Sequence, residues 1–582
     1  MKNEGPVKME EIEFDENFLR EELREWEPFT LLIFGASGNL TGRKLIPAMF
    51  RLFLKGRLPG TFNIVGVSRT KMADEEWAAS LEDLIPFETL KKGYSRNSLQ
   101  KQWENFAEHL VYFPGDATQT EVVKRLESFL IFLENGNCQR RIFYLATAPD
   151  IYLPILEAIK PGVENLRKKW RERIEQEREK RKSENERIQT SGKKMIGNVP
   201  CRIVVEKPFG RNLESAKILN QTLRKIFNEE EIFRIDHYLG KETAQNLLVL
   251  RFANSIFEPI WNRNFIREVQ ITASEEALVG RRAAYFNRAG ILRDMFQNHL
   301  LQLLALTAME PPVQMDAESL RNEKVKVLYS IRPFRSGAEA AQNSLRGQYL
   351  QPPFALDEET ECLEPAVPTF AALELNVENW RWRGVPFFLR AGKGMNCRTT
   401  QILLRFHEPP CLLFPGVKDI EANMLLIQIQ PAEGIQLYFQ TKVPDCEMSM
   451  TQGTMNFTFD KNFQIPLPDA YERLLLDIFR GDPGLFIRDD EVEAAWRIID
   501  PVQKAWDEEF QELPKPYPIG SWGPFEAEHW IERRGSRWFN LCPVLNFRKD
   551  SASAKWNFNE DRDDELRPND KREIMPAEFQ MI

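Results

Sequence analysis

Within the stretch R-I-D-H-Y-L-G-K-E, residues 234 to 242, an aspartate, an imidazole, a phenol and an ammonium fall inside six positions, Asp236 to Lys241. The whole chain has five histidines; His237 is one of them, and another, His299, ends the run R-D-M-F-Q-N-H. A lysine, Lys207, follows the apolar run R-I-V-V in E-K-P-F-G. Charged groups are costly to bury unless they are paired, so a core role accounts poorly for this density. Together these side-chain types suit two tasks. An imidazole, with an ordinary pKa of about 6.5, can take up a proton near neutral pH. Ammoniums and hydroxyls can hold a phosphate dianion.

A third group of residues lies near the start of the chain. The apolar run F-T-L-L-I-F (29–34) leads into G-A-S-G-N-L-T-G. A small-residue turn between a strand and a helix lets the backbone approach a pyrophosphate at the helix amino terminus. Gly35, Ser37 and Gly38 are the expected cofactor contacts, although Ser37 stands where the usual pattern has its middle glycine. The next strand, N-I-V-G-V, ends in Ser68-Arg69-Thr70, not in the acid that commonly binds a ribose 2′-hydroxyl. The planar guanidinium of Arg69 suits a 2′-phosphate, so NADP is the dinucleotide implied. Lys44, in the following helix, adds positive charge.

These residues need elements to position them. Strand candidates at 29–34, 63–67, 141–146 and 202–206 alternate with helical stretches, the pattern of a parallel sheet. Residues 164–187 hold seven acids and ten bases, with Leu166, Trp170 and Ile174 as a narrow stripe; they are expected to form a solvated helical insertion. Helices are expected over 240–254 and 291–309, and strands near 369–377, 401–406 and 425–430. The fold class is therefore an α/β Rossmann-like coenzyme domain followed by an α+β domain with a large mainly antiparallel sheet. The expected boundaries are a polar lead-in over 1–28, a coenzyme domain over 29–236 with its insertion at about 163–197, a substrate domain over 237–542, and a polar tail over 543–582.

Composition narrows the partners. The chain has 582 residues, 42% of them apolar and 28% charged, the balance of a folded protein of more than one core. A net charge of −9 argues against nucleic acid as the main partner. No run approaches the ~18 apolar residues that a membrane helix requires. The seven cysteines are scattered and form no C-x-x-C pair, so neither a disulfide framework nor a metal site is expected. The acidic amino terminus does not read as a signal peptide, and a reducing, cytoplasmic setting is expected.

Taken in order, G-A-S-G-N-L, E-K-P-F-G, R-I-D-H-Y-L-G-K-E, R-F-A-N-S-I-F-E-P-I-W-N-R, R-D-M-F-Q-N-H, R-A-G-K (390–393) and P-D-A-Y-E-R-L-L-L-D resemble the signatures of the glucose-6-phosphate dehydrogenases over about residues 29–535. The resemblance implies oxidation of glucose 6-phosphate at C1 to the lactone, with NADP as hydride acceptor. It implies that His299 is the base and that Asp236 orients it. His237, Tyr238, Lys241 and Lys393 would bind the sugar phosphate, Lys207 would reach both substrate and nicotinamide, and Glu275 and Asp294 would accept from sugar hydroxyls. Arg398 and Gln430 match more peripheral positions. If a helix begins near 237, His237 and Lys241 share one face of it. A homodimer or homotetramer is also implied. Thr399 and Gln428 stand where some relatives have basic residues for a second, structural NADP, so no such site is expected. Two other readings are a related sugar oxidoreductase, which would use free glucose as readily, and a catalytically silent NADP-binding scaffold.

Overall fold

The computed structural model describes residues 28–90, 95–136, 139–183, 199–350, 362–409, 420–446, 449–459, 462, 467–509 and 512–542. Six parallel strands form the first sheet: β1 (Phe29–Phe34), β2 (Phe62–Ser68), β3 (Leu110–Pro114), β4 (Arg140–Leu145), β5 (Cys201–Val205) and β6 (Ile232–Arg234). Their spatial order is β3-β2-β1-β4-β5-β6. The order reverses between β1 and β4, and in such sheets the crevice outside the carboxyl ends of the strands at that point is where ligands bind. Strands β1, β4 and β5 are buried almost throughout, as strands covered on both faces must be, which is why they read as unbroken apolar runs.

Nine strands form the second sheet: β7 (Ile266–Ser274), β8 (Ser344–Tyr349), β9 (Phe370–Asn376), β10 (Pro386–Gly392), β11 (Thr399–Phe406), β12 (Met424–Gln430), β13 (Gly434–Lys442), β14 (Met450–Thr458) and β15 (Lys515–Tyr517). Their order is β14-β13-β12-β11-β7-β10-β9-β8-β15, antiparallel except for the β10–β7 and β8–β15 pairs.

The helices that matter for the site follow in chain order. A π-wound turn, Thr41–Leu45, leads from the glycine turn into α1 (Ile46–Leu54). Helix α2 (Tyr152–Ser183) carries the charged stretch. It is packed against the sheet layer and not a solvated arm: Leu166 and Trp170 are buried, and Arg167 pairs with Glu231 and lies over the Phe227 ring. Two of the three stripe residues are thus buried and Ile174 is half-buried; the insertion beyond Ser183, up to 198, lies outside the described residues. Helix α3 runs from Glu242 to Phe252. Helix α4 starts π-wound over Leu292–Leu300 and continues as α-helix over Leu301–Ala308, buried along its length except at Arg293. Such widened turns are frequent at functional sites.

Two late helices, α5 (Ala470–Arg480) and α6 (Asp489–Lys504), return to the first sheet. Tyr471, Leu474, Leu475, Ile478 and Phe479 of α5 share one core with Leu31, Ile33, Ile64, Ile142 and Tyr144. The Arg202 guanidinium of β5 donates to the carbonyls of Ile478 and Phe479 at 2.6 and 2.8 Å, closing the end of α5. In α6, the Trp496 indole donates to the Phe209 carbonyl at 2.9 Å.

One expectation fails. Cys397 and Cys542 are joined in a disulfide, with Cα atoms 6.0 Å apart and a sequence separation of 145. No local spacing could have announced the pair; the second sheet brings its two ends together.

Candidate active site

The glycine turn leaves the carboxyl end of β1. Gly35 donates from its backbone N–H to the Val67 carbonyl at 2.9 Å and holds φ +95°, a conformation open to glycine. A Cβ there would strike the Ala146 backbone, so the turn is as close to β4 as a chain can come. Gly38 donates back to Gly35 at 2.9 Å. At the end of β2, the Ser37 and Ser68 hydroxyls are 2.8 Å apart and exposed, with Thr70 bonded to Ser37 and Arg69 exposed beside them. Backbone drawn in tightly, hydroxyls and an exposed cation at a strand end fit a dinucleotide phosphate. Lys44 stands elsewhere. Its ammonium lies 3.6 Å from Asp469, and its charge is felt at His237 and Lys241.

The charged centre lies beyond β5 and β6. Asp236 and His299, 63 residues apart, meet with Asp236 Oδ1 2.5 Å from His299 Nδ1, both buried. The other ring nitrogen, Nε2, is 3.0 Å from the Lys207 ammonium. Burial pushes the His299 imidazole below the ordinary histidine value; Asp236 pulls it back up and Lys207 presses it down again. Asp236 would be driven up by burial, but His299 and the Tyr238 N–H, which donates at 2.9 Å, bring its carboxyl below the usual value. An imidazole held neutral, with its tautomer fixed by a carboxylate, is a competent base at Nε2. The rings of His237 and Tyr238 pack around it, 4.6 and 4.2 Å from the His299 centroid.

The helix expected over 240–254 is present as α3, but it does not begin near 237. Residues 237–240 form a turn, and α3 begins at Glu242, because Asp236 accepts from the Tyr238 N–H and fixes the turn. Lys241 caps the helix and does not lie on its face. It still stands on the Tyr238 ring, against which His237 also packs. Its ammonium donates to Gln430 Oε1 at 2.5 Å and lies over the Tyr238 ring. Burial, with Arg398 nearby, pulls its pKa down to about 8.

Opposite Lys207 stands a row of acids and one lysine. Lys393 pairs with Glu275 at 2.6 Å and with Asp294 at 3.1 Å. Asp294 also meets Lys207 at 3.4 Å. Burial would raise Asp294, yet Lys207 and Lys393 hold it far below the usual carboxylate range. Sequence reasoning undervalued Gln430 and missed Thr400. The Gln430 amide bridges Lys241, the Tyr238 hydroxyl and the Thr400 hydroxyl, at 2.5, 3.2 and 3.0 Å. It also missed Glu206, which accepts from the Tyr144 and Tyr471 hydroxyls and so pins the backbone beside Lys207. Polar residues on strands carry no sequence mark of what they face. The Gln428 amide donates to the Thr399 hydroxyl at 2.7 Å, buried.

The ligand atoms of Asp236, His237 and His299 lie within 4.8 Å of one another, close enough to surround a cation. Asp236 is committed to His299, however, and the Lys207 ammonium beside it opposes a second positive charge.

The geometry can be set beside known proteins. Residues 32–246 match the family model described as "Glucose-6-phosphate dehydrogenase, NAD binding domain", and residues 248–539 match the C-terminal domain of the same family. The chain belongs to the glucose-6-phosphate dehydrogenase family. Glucose-6-phosphate 1-dehydrogenase of Rhizobium meliloti is 40% identical over 520 residues, covering 88% of this chain and 98% of that one. The chloroplastic enzyme of Solanum tuberosum is 38% identical, covering 88% and 84%. A solved glucose-6-phosphate dehydrogenase in complex with glucose 6-phosphate superposes with a TM-score of 0.73 at 30% identity, covering 88% and 99%. As a glucose-6-phosphate dehydrogenase family member, the chain takes a nicotinamide dinucleotide. Among the described residues no helix is long and apolar enough to cross a membrane.

Proposed function

We propose that this protein oxidises D-glucose 6-phosphate at C1 to 6-phospho-D-glucono-1,5-lactone, with NADP as the hydride acceptor. The observation that carries the reading is the Asp236–His299–Lys207 line, in which a neutral imidazole turns its free nitrogen toward an ammonium. The family relatives name the substrate. The cofactor lobe spans 29–236 and the substrate lobe 237–542.

Each residue has a role that follows from its surroundings. His299 Nε2 removes the proton of the C1 hydroxyl, and Asp236 stabilises the imidazolium that results. Lys207 orients the C1 hydroxyl and favours the oxygen's negative charge as it develops. His237, Tyr238 and Lys241 hold the phosphate, with the charges of Lys44 and Arg398 adding to the field. Glu275 and Asp294 accept from ring hydroxyls, and Lys393 keeps both carboxylates ionised. Gly35, Ser37, Gly38 and Arg69 bind the dinucleotide, which when bound supplies the hydride acceptor. Arg69 with Ser37 and Ser68 supports the choice of NADP over NAD. A homodimer or homotetramer is supported by the outer strands β13 and β14, where Met455 is 61% exposed; light scattering on the purified chain measures it.

Absorbance at the reduced-nicotinamide band, followed with glucose 6-phosphate and NADP, tests the reading. Reduction is expected with the phosphorylated sugar, slower with NAD, and slower still with free glucose. Equal rates with free and phosphorylated glucose favour a related sugar oxidoreductase. Binding of NADP without reduction by any hexose phosphate favours a silent scaffold.

A further inference from the structure

The second sheet ends at β15 on the side away from β14, and a groove runs along that edge. Residues 344–346 of β8, Glu374 of β9 and Lys515 of β15 line it, together with the end of the short helix Gly337–Gln342 and the end of helix α7 (Phe525–Glu532). Its volume is about 700 Å3, within the range of sites that hold small organic molecules. None of the residues placed in the active site above lines it.

The lining carries four cations, Arg346, Lys515, Arg533 and Arg534, against two carboxylates, Glu374 and Glu512, in a chain whose net charge is −9. Both carboxylates are already engaged. Arg534 donates to Glu374 at 2.6 Å, and Lys515 donates to Glu512 at 2.8 Å. Arg346 donates to the Trp506 and Glu512 carbonyls and lies over the Trp506 ring. An exposed cation and a buried N–H have no partner among the described residues: the Arg533 guanidinium, and the indole N–H of Trp530, a residue only 3% exposed. A buried donor without an acceptor is costly, and a guanidinium fork matches the paired oxygens of a carboxylate or phosphate. The groove therefore suits an acceptor-rich anion. Leu513, 63% exposed, and Leu345 add apolar surface that a bare inorganic ion would leave unused.

The groove is joined to the active site by the strand that carries Lys515. Two residues further on, the Tyr517 hydroxyl donates to the Lys393 carbonyl at 2.7 Å and lies 2.9 Å from the Thr369 hydroxyl, all buried. We propose that the groove binds a small organic dianion, a phosphorylated or polycarboxylic acid held by Arg533 and Lys515, and that its binding is felt at Lys393 through Tyr517. A ligand that ties Lys515 to Arg533 steadies β15 against α7, and with it the tyrosine that fixes the Lys393 backbone. Lys393 in turn pairs with Glu275 and Asp294, so the expected effect is tighter binding of the sugar phosphate. The binding site stands apart from the proposed activity; only the effect on KM rests on that reading.

The test is calorimetric titration of the full chain with 3-phosphoglycerate, citrate or inorganic phosphate. Glucose 6-phosphate and NADPH are kept saturating, so that the active site is filled and no turnover occurs. One of the two organic acids is expected to bind more tightly than inorganic phosphate, and which one binds assigns the phosphorylated or the polycarboxylic class. Arg533→Ala and Lys515→Gln should each weaken it by about tenfold, the worth of one charge-assisted hydrogen bond, with the melting temperature of Arg533→Ala unchanged. The bound acid should lower KM for glucose 6-phosphate by about fivefold with kcat little changed. Tyr517→Phe should keep the binding heat and lose the effect on KM. No heat from either organic acid at about 10 mM, or binding that both groove variants leave intact, overturns the site. Inorganic phosphate binding as tightly overturns the organic ligand, and a KM that is unchanged or raised overturns the link to Lys393. An enzyme without turnover would defeat the proposed function, while the calorimetry would still decide the site.

Discussion

A buried imidazole with a carboxylate on one nitrogen and an ammonium near the other has an acid limb set by burial. Because His299 is pushed below its ordinary value, it remains neutral somewhat below pH 6.5, and kcat/KM should fall only as pH drops through that lowered value. The alkaline limb belongs to a different residue. Lys241 in the free protein titrates at about 8, so its ammonium is present below that pH and lost above it. kcat/KM for the sugar phosphate should therefore decline above about pH 8. A bound dianion favours the charged form, so the limb in kcat should lie at higher pH. Lys241→Arg, which stays charged, should remove the limb from kcat/KM; an unchanged alkaline limb in that variant would assign it elsewhere. His299→Asn should lower kcat by roughly 10²–10⁴-fold with little change in KM. Near-normal turnover would dismiss the imidazole as base. The sequence made Asp236, His299 and Lys207 legible because their motifs stand in register. It left Gln430 and Thr400 obscure because a polar residue on a strand shows its importance only through what the sheet sets opposite it.

The elements that carry these residues were unevenly legible. Strands β1, β2, β4 and β5 read as apolar runs, but β3 and β6 did not. β3 ends at a proline, and β6 has three residues and closes on Arg234, whose side chain pairs with Glu229. Helix α3 starts at Glu242, two residues into the expected 240–254 span and not near 237, since a local Asp236 hydrogen bond holds 237–240 as a turn. Helix α5 shows how both ends of an element are fixed. Asp469 accepts from the Tyr471 N–H at 2.9 Å at its start, a cap worth about 1 kcal/mol. At its end, Gly481 holds φ +82° with the Arg202 guanidinium pressed against it. Gly481→Ala places a methyl into that buried cation and costs about 1–2 kcal/mol for the left-handed backbone alone. The expected result is a melting temperature lower by a few degrees with kcat preserved at 25 °C. An unchanged melting curve would mean that Arg202 can move aside, and that α5 is not held from β5.

At the scale of the whole molecule, the boundary at 236/237 divides the strands cleanly but not the core. One face of the first sheet is completed by α5, so Leu31, Ile33, Ile142 and Tyr144 are buried partly by residues 471–486. Arg202, fully buried, donates to two carbonyls on that returning helix, those of Ile478 and Phe479. The site obeys the same logic: Lys207 and Asp236 come from the first half and His299 from the second, so the contacts of both with His299 are lost on separation. A fragment covering residues 1–246 would leave an apolar sheet face open and take the Ile478 and Phe479 carbonyls from the Arg202 guanidinium, a combination that costs several kcal/mol against the marginal stability of a domain. It is therefore expected to show no cooperative thermal transition and no NADP binding by calorimetry. Adding residues 467–542 as a separate chain should restore part of both. A fragment that melts cooperatively and binds NADP alone would show that α5 rests on the first sheet without being needed by it.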